Sequence, residues 1–157
     1  MSLQSKLPDV GTTIFTIMSR LAAEHNAINL SQGFPDFDAD PSLILAVSEA
    51  MAKGQNQYAP MPGLPDLNVA IARKLHGDYG WMPDPETEIT VTAGGTQALY
   101  SIIGAMISQG DEVIVLEPSY DSYIPSVVSF GGVVKTVQLL PPSYKVNWDE
   151  VESLITS

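Results

Sequence analysis

At 157 residues, 45% of them hydrophobic, the chain is long enough for one domain with a core, and no charge-rich or low-complexity stretch argues for disorder. Lys+Arg 7 against Asp+Glu 18 gives a formal net charge of −11, which repels a phosphate backbone and an anionic membrane surface, so nucleic acid and membrane are not expected as partners. The lack of cysteine excludes disulfide scaffolds, thiolate nucleophiles and Cys-ligated metals, and the two histidines, His25 and His76, stand apart without a ligand spacing.

The first six residues hold no apolar signal core and no segment approaches a membrane-spanning length, so the expected home is the cytoplasm. From Thr13 to about His25, Ile14, Phe15, Met18, Leu21 and Ala22 recur at helical spacing. A mixed stretch follows, then a loop over 32–38 broken by Gly33, Pro35 and Asp36. Asp40 with Pro41 is a cap and first-turn proline; Ile44, Val47 and Met51 form the stripe of a second helix, and Gly54 closes it. The 55–63 loop carries Pro60 and Pro62, and helical spacing resumes over 64–79 through Leu67, Ala70, Ile71 and Leu75.

After the Pro83-Asp84-Pro85 turn, the β-branched run 89–92 reads as a first strand and 96–108 as a helix ended by Gly110. Glu112-Val113-Ile114-Val115-Leu116 is a continuous apolar run suited to a strand covered on both faces. A helix to about Phe130, a strand over 133–138 and a helix from Asn147 or Asp149 into the terminus complete the chain. Strand and helix alternate from Ile89 onward, which implies an α/β fold with right-handed crossovers and a parallel sheet. Because the pattern closes on a helix with no strand after it, the sheet reads as cut short.

Two turns stand out chemically. In Thr92-Ala93-Gly94-Gly95-Thr96-Gln97, two glycines open a helix whose free N–H groups and dipole favour an anion, phosphate above all. Neither G-x-G-x-x-G nor the G-x-x-x-x-G-K-[ST] loop is matched, and a tight βα connection explains the glycines equally well. The second turn, Glu117-Pro118-Ser119-Tyr120, follows the next strand, so both open on one sheet edge, where such folds bind ligands.

Asn29-Leu30-Ser31-Gln32-Gly33-Phe34-Pro35-Asp36-Phe37, Asn56-Gln57-Tyr58-Ala59-Pro60, Val91-Thr92-Ala93-Gly94-Gly95-Thr96-Gln97-Ala98-Leu99, and Gly110-Asp111-Glu112-Val113 followed by Glu117-Pro118-Ser119-Tyr120 occur here in one order. In these motifs the chain resembles fold-type I pyridoxal-phosphate aminotransferases of class I/II, the branch with methionine, kynurenine and glutamine transaminases, from about Lys6 to Ser157. The resemblance implies the amino-terminal portion of such an enzyme. Residues 1–50 would belong to the small domain as a helical segment, and 51–157 would form the first half of a three-layer αβα large domain with a parallel sheet.

It further implies pyridoxal 5'-phosphate as cofactor, amino acid and 2-oxo acid as substrates, methionine or an aromatic amino acid among them, and a homodimer. Gly95, Thr96 and Gln97 would hold the cofactor phosphate, and Tyr120 would stack on its ring. Tyr58 would donate its hydroxyl to the phosphate in the neighbouring subunit, Gly33 would meet the substrate carboxylate through its N–H, and Phe15 would line the side-chain pocket. On the residues alone, Tyr120, Tyr58 and Phe15 also read as packing aromatics and Gly33 as a turn former. Asn68 and Gln97 depart from the family's frequent arginine and acidic residue, neither at a position that carries chemistry.

Transamination also needs a lysine to hold the cofactor as a Schiff base, a carboxylate at its ring nitrogen and an arginine for the substrate carboxylate. None of Lys6, Lys53, Lys74, Lys135 and Lys145 stands in the family's setting; Lys135 and Lys145 read as solvated charges, and no catalytic residue is assigned. Three readings follow: a truncated copy of an aminotransferase, inactive by itself; a non-catalytic module that binds phosphate or the cofactor; or an inactive fragment sustained by a longer partner.

Overall fold

The computed structural model describes residues 4–33 and 35–156; Phe34 of the expected 32–38 loop, the start of the N-terminal segment and the last residue lie outside them. Two compact units form: one from the described residues of 1–13 and 93–157, the other from those of 14–92.

The 14–92 unit is helical. Helix α1 is Ile14–Glu24, and the stretch after it is tied back where the Asn29 amide donates to Ser19 Oγ at 3.1 Å. Helix α2, Pro41–Ala52, starts where Asp40 accepts from the Ser42 N–H and hydroxyl, at 2.8 and 2.6 Å, which holds the Asp40 carboxyl below its ordinary range. Its stripe of Ile44, Val47 and Met51 forms as expected and stands exposed. Helix α3, Pro65–Tyr79, stops at Gly80. Its buried side is rotated from the expected Leu67-Ala70-Ile71-Leu75 face: Asn68 and Ala72, one turn apart, are the buried pair and Leu67 is exposed.

Residues 89–92 do not form the expected first strand. A strand is a hydrogen-bonded ladder rather than a sequence preference, and the sheet among the described residues has two strands only. Here the Val91 N–H donates instead to the Pro62 carbonyl at 2.9 Å, and the Ile89 carbonyl accepts from the Asn68 amide.

In the other unit, α4 is Gly95–Met106, β1 Glu112–Glu117, α5 Tyr123–Ser129, β2 Val133–Gln138 and α6 Trp148–Ser153. Helix α6 is capped by the Asn147 side chain and ends at Ser153, short of the terminus, where the Leu154 and Ile155 N–H groups turn back onto Val151 and Glu152. Strands β1 and β2 pair in parallel from Glu112↔Val133 to Glu117↔Gln138, as the alternating pattern predicts. Val115 on one face and Val137 on the other are buried, and Val127 of α5 is buried as well. A Cβ on Gly104 would lie 2.5 Å from Phe130 Cζ, so α4 presents bare backbone to the Phe130 ring, which also tilts against Tyr100 with centroids 4.9 Å apart. Gly104→Ala should therefore destabilise this unit by about 1–3 kcal/mol, read as a lower urea midpoint, because the ring must move to admit the methyl.

Glu112 joins three segments. Its carboxylate accepts from the Thr156 hydroxyl at 2.6 Å and pairs with Lys135 at 2.9 Å, so Lys135 is ion-paired along the ladder rather than merely solvated. The Thr156 hydroxyl first, then Lys135, hold the Glu112 carboxyl below its ordinary value. A carboxyl whose value is lower folded than unfolded contributes fully above the unfolded value, and that contribution fades as pH falls through the folded one. Glu112→Gln should thus flatten the loss of stability below about pH 4.3, the ordinary glutamate value, in denaturant titrations across the acid range.

Candidate active site

The site is built on the first turn of α4. Gly94, its N-cap, has φ 90 and ψ 164, a backbone that side-chain-bearing residues rarely adopt, so the turn itself requires this glycine. Gly95 is different. Its φ is not positive and a Cβ there would meet nothing within 4 Å, so neither conformation nor packing demands a glycine; what its lack of side chain leaves is open space. Into the same turn project the N–H groups of Gly95, Thr96 and Gln97, which have no carbonyl a turn earlier to bond inside the helix.

The Gln97 side chain is already engaged, its carbonyl accepting the Ala93 N–H at 2.6 Å. Gln97 thus offers a ligand its backbone N–H, while its side chain braces the residue before the glycines, much as a capping box does. Thr96 Oγ1 lies 3.4 Å from the Tyr120 hydroxyl, which brings the turn after β1 onto the start of α4. Tyr120 is 46% exposed and meets Tyr123 edge-on, with centroids 5.9 Å apart, so one ring edge is held while much of the ring stays accessible. Gly95, Thr96, Gln97 and Tyr120 are therefore assembled in one place, as the sequence predicts. Open space, aligned N–H groups, a hydroxyl and an aromatic ring suit a phosphorylated aromatic ring compound.

The other three expected residues lie in the 14–92 unit. Tyr58 is fully exposed in the loop after α2, Gly33 is exposed with nothing within 4 Å of a would-be Cβ, and Phe15 is half-buried on α1. Lys53 pairs with Glu49 and Lys74 with Asp78, both one helical turn apart, while Lys6 donates to the Ser129 carbonyl. The residue that sequence reasoning undervalued is Asn68, 3% exposed beneath the 60–63 turn. Its signal was available: an amide one helical turn from Ala72 on an otherwise apolar helix face.

Residues 25–157 match the family model described as aminotransferase class I and II. The methionine aminotransferase of Escherichia coli K12 is 54% identical over 153 residues, covering 98% of this chain and 40% of the relative. A probable N-succinyldiaminopimelate aminotransferase of Mycobacterium tuberculosis H37Rv is 44% identical over 137 residues, 87% of this chain and 34% of the relative. A solved Escherichia coli structure assigned a methionine aminotransferase function superposes with a TM-score of 0.95 at 52% identity, covering 99% of this chain and 41% of that one.

The chain belongs to the class I and II aminotransferase family, and its fold is that of the fold-type I enzymes. Enzymes of this family are generally dependent on pyridoxal phosphate, and the chain spans about two fifths of the length of the methionine aminotransferase it matches.

If Gly95 is kept bare to leave room for a ligand, Gly95→Ala should leave the thermal midpoint within about 2 °C of the parent, since no neighbour is displaced and Gly-to-Ala in a helix is mildly favourable. A large loss of stability in a thermal melt would mean instead that the fold needs this glycine.

Proposed function

We propose that the whole protein is a pyridoxal-phosphate-dependent aminotransferase that moves the amino group of methionine or an aromatic amino acid to a 2-oxo acid, as a cytoplasmic homodimer. The observation that carries this reading is the start of α4, where a glycine that the fold does not require leaves space before three N–H groups, with Thr96 Oγ1 3.4 Å from the Tyr120 hydroxyl. The 54% identity to a methionine aminotransferase supports methionine as the first substrate to try.

In this reading the Gly95, Thr96 and Gln97 N–H groups and the Thr96 hydroxyl bind the cofactor phosphate, where the helix dipole adds to their pull. Pyridoxal phosphate, when bound, supplies the electron sink on which amino-group transfer depends. Tyr120 covers the ring, and its contact with Thr96 fixes the height of that cover above the phosphate cup. Tyr58, fully exposed, is free to reach a neighbouring subunit's phosphate, and Gly33 with Phe15 receives the substrate carboxylate and side chain. Residues 1–50 contribute to the small domain and 51–157 to the large one. The five lysines of this chain take no part in holding the cofactor in this reading, so a polypeptide of these 157 residues alone gives no borohydride-fixed cofactor adduct at the site.

The test uses the whole protein titrated with pyridoxal phosphate. Thr96→Val should weaken cofactor affinity by about tenfold, the worth of one hydrogen bond to a charged group, and leave the fold intact by circular dichroism. Transfer from methionine to a 2-oxo acid should appear only with cofactor present. A protein that neither binds pyridoxal phosphate nor transfers an amino group from methionine, phenylalanine or tyrosine would sink the proposal.

A further inference from the structure

Beneath the loop that carries Tyr58, one buried amide holds three stretches of backbone. Asn68 Nδ2 lies 3.2 Å from the Pro85 carbonyl, 3.4 Å from that of Pro62 and 3.5 Å from that of Ile89, so two N–H donors are shared among three acceptors. Its Oδ1 is buried with no N–H or O–H donor and lies against Gly63. A Cβ on Gly63 would sit 2.8 Å from Asn68 Oδ1 and 2.8 Å from Val91 Cγ2, and Gly63 has φ +116, so this position requires glycine on both counts. The Val91 N–H to Pro62 carbonyl bond, 2.9 Å, closes the knot.

The three carbonyls belong to turns that no strand ladder organises. One is the 60–63 turn at the end of the Tyr58 loop, one is the proline turn at 83–85, and one is the extended run at 89–92 that leads directly into Gly94. An amide that loses its donors withdraws a partner from the Pro85, Ile89 and Pro62 carbonyls, of which Pro62 keeps the Val91 N–H, so Asn68 holds the junction together with that backbone bond. We propose that Asn68 is a positioning residue of the enzyme, fixing the Tyr58 loop to the segment that enters the phosphate turn. This rests on the reading of Tyr58 as a donor to the cofactor phosphate.

The experiment combines two readouts in the whole protein. Asn68→Asp keeps the shape and removes the amide donors; Asn68→Ala removes the same donors without burying a carboxyl should the first variant fold poorly. Amide exchange at Val91 N–H should rise by at least about tenfold in either variant, since its bond to Pro62 depends on the junction. Pyridoxal-phosphate affinity, measured by titration, should fall by about three- to tenfold in Asn68→Asp and in Tyr58→Phe, with no further loss in the double variant, because both act through one hydroxyl. Unchanged exchange at Val91, or losses that simply add in the double variant, overturn the role of Asn68. Unchanged affinity in Tyr58→Phe, with exchange raised in Asn68→Asp, overturns instead the phosphate reading of Tyr58 and leaves Asn68 as an anchor of the loop's backbone alone.

Discussion

The parallel pairing of β1 with β2 is the constraint on which the candidate site depends. A parallel pair cannot be closed by a tight hairpin, so the chain must leave β1 at Glu117, cross through α5 and return at Val133. That crossover puts Tyr120 in the turn just beyond the carboxyl end of β1, where backbone groups are no longer consumed by the ladder. The ladder is itself reinforced at both ends: Gln138 donates to the Glu117 carboxylate across the last register pair, and Glu112 pairs with Lys135 at the other end. Rigid strands thus carry a turn whose side chains are available to a ligand.

Helix α4 supplies the other half. Its first turn pairs one glycine that the backbone needs with one that it does not. Gly94 is explained by its φ, whereas at Gly95 neither conformation nor packing demands a glycine. The Gln97 side chain turns back to Ala93, so the helix start is braced by its own residue and its remaining donors stay aligned. Phe130 lying on the bare backbone of Gly104 seats the same helix at its far end.

Much of this was legible in the sequence. The 133–138 strand and the Asp40 cap are local signals, set by a β-branched run and a short side-chain acceptor, and they appear where the sequence places them. The glycine-opened start of α4 was legible too, because a glycine pair before an apolar helix is a motif in one dimension. The 89–92 run was misread because β-branched residues prefer extended backbone whether or not a ladder partner is present; its donors and acceptors went to Pro62 and Asn68. Lys135 was misread because the carboxylate that pairs with it lies on the neighbouring strand, remote in sequence.

The sequence by itself determined the family and, apart from the 89–92 run, the order of strands and helices, since each follows from patterns within a few neighbouring positions. Only the tertiary structure decided that Thr96 and Tyr120 face one another, that Gly95 is free of packing duty and that Asn68 knots three turns together. Those facts depend on distances between residues far apart along the chain, and the pairing of the buried Asn68 amide with carbonyls remote in sequence, rather than any local preference, selects the arrangement.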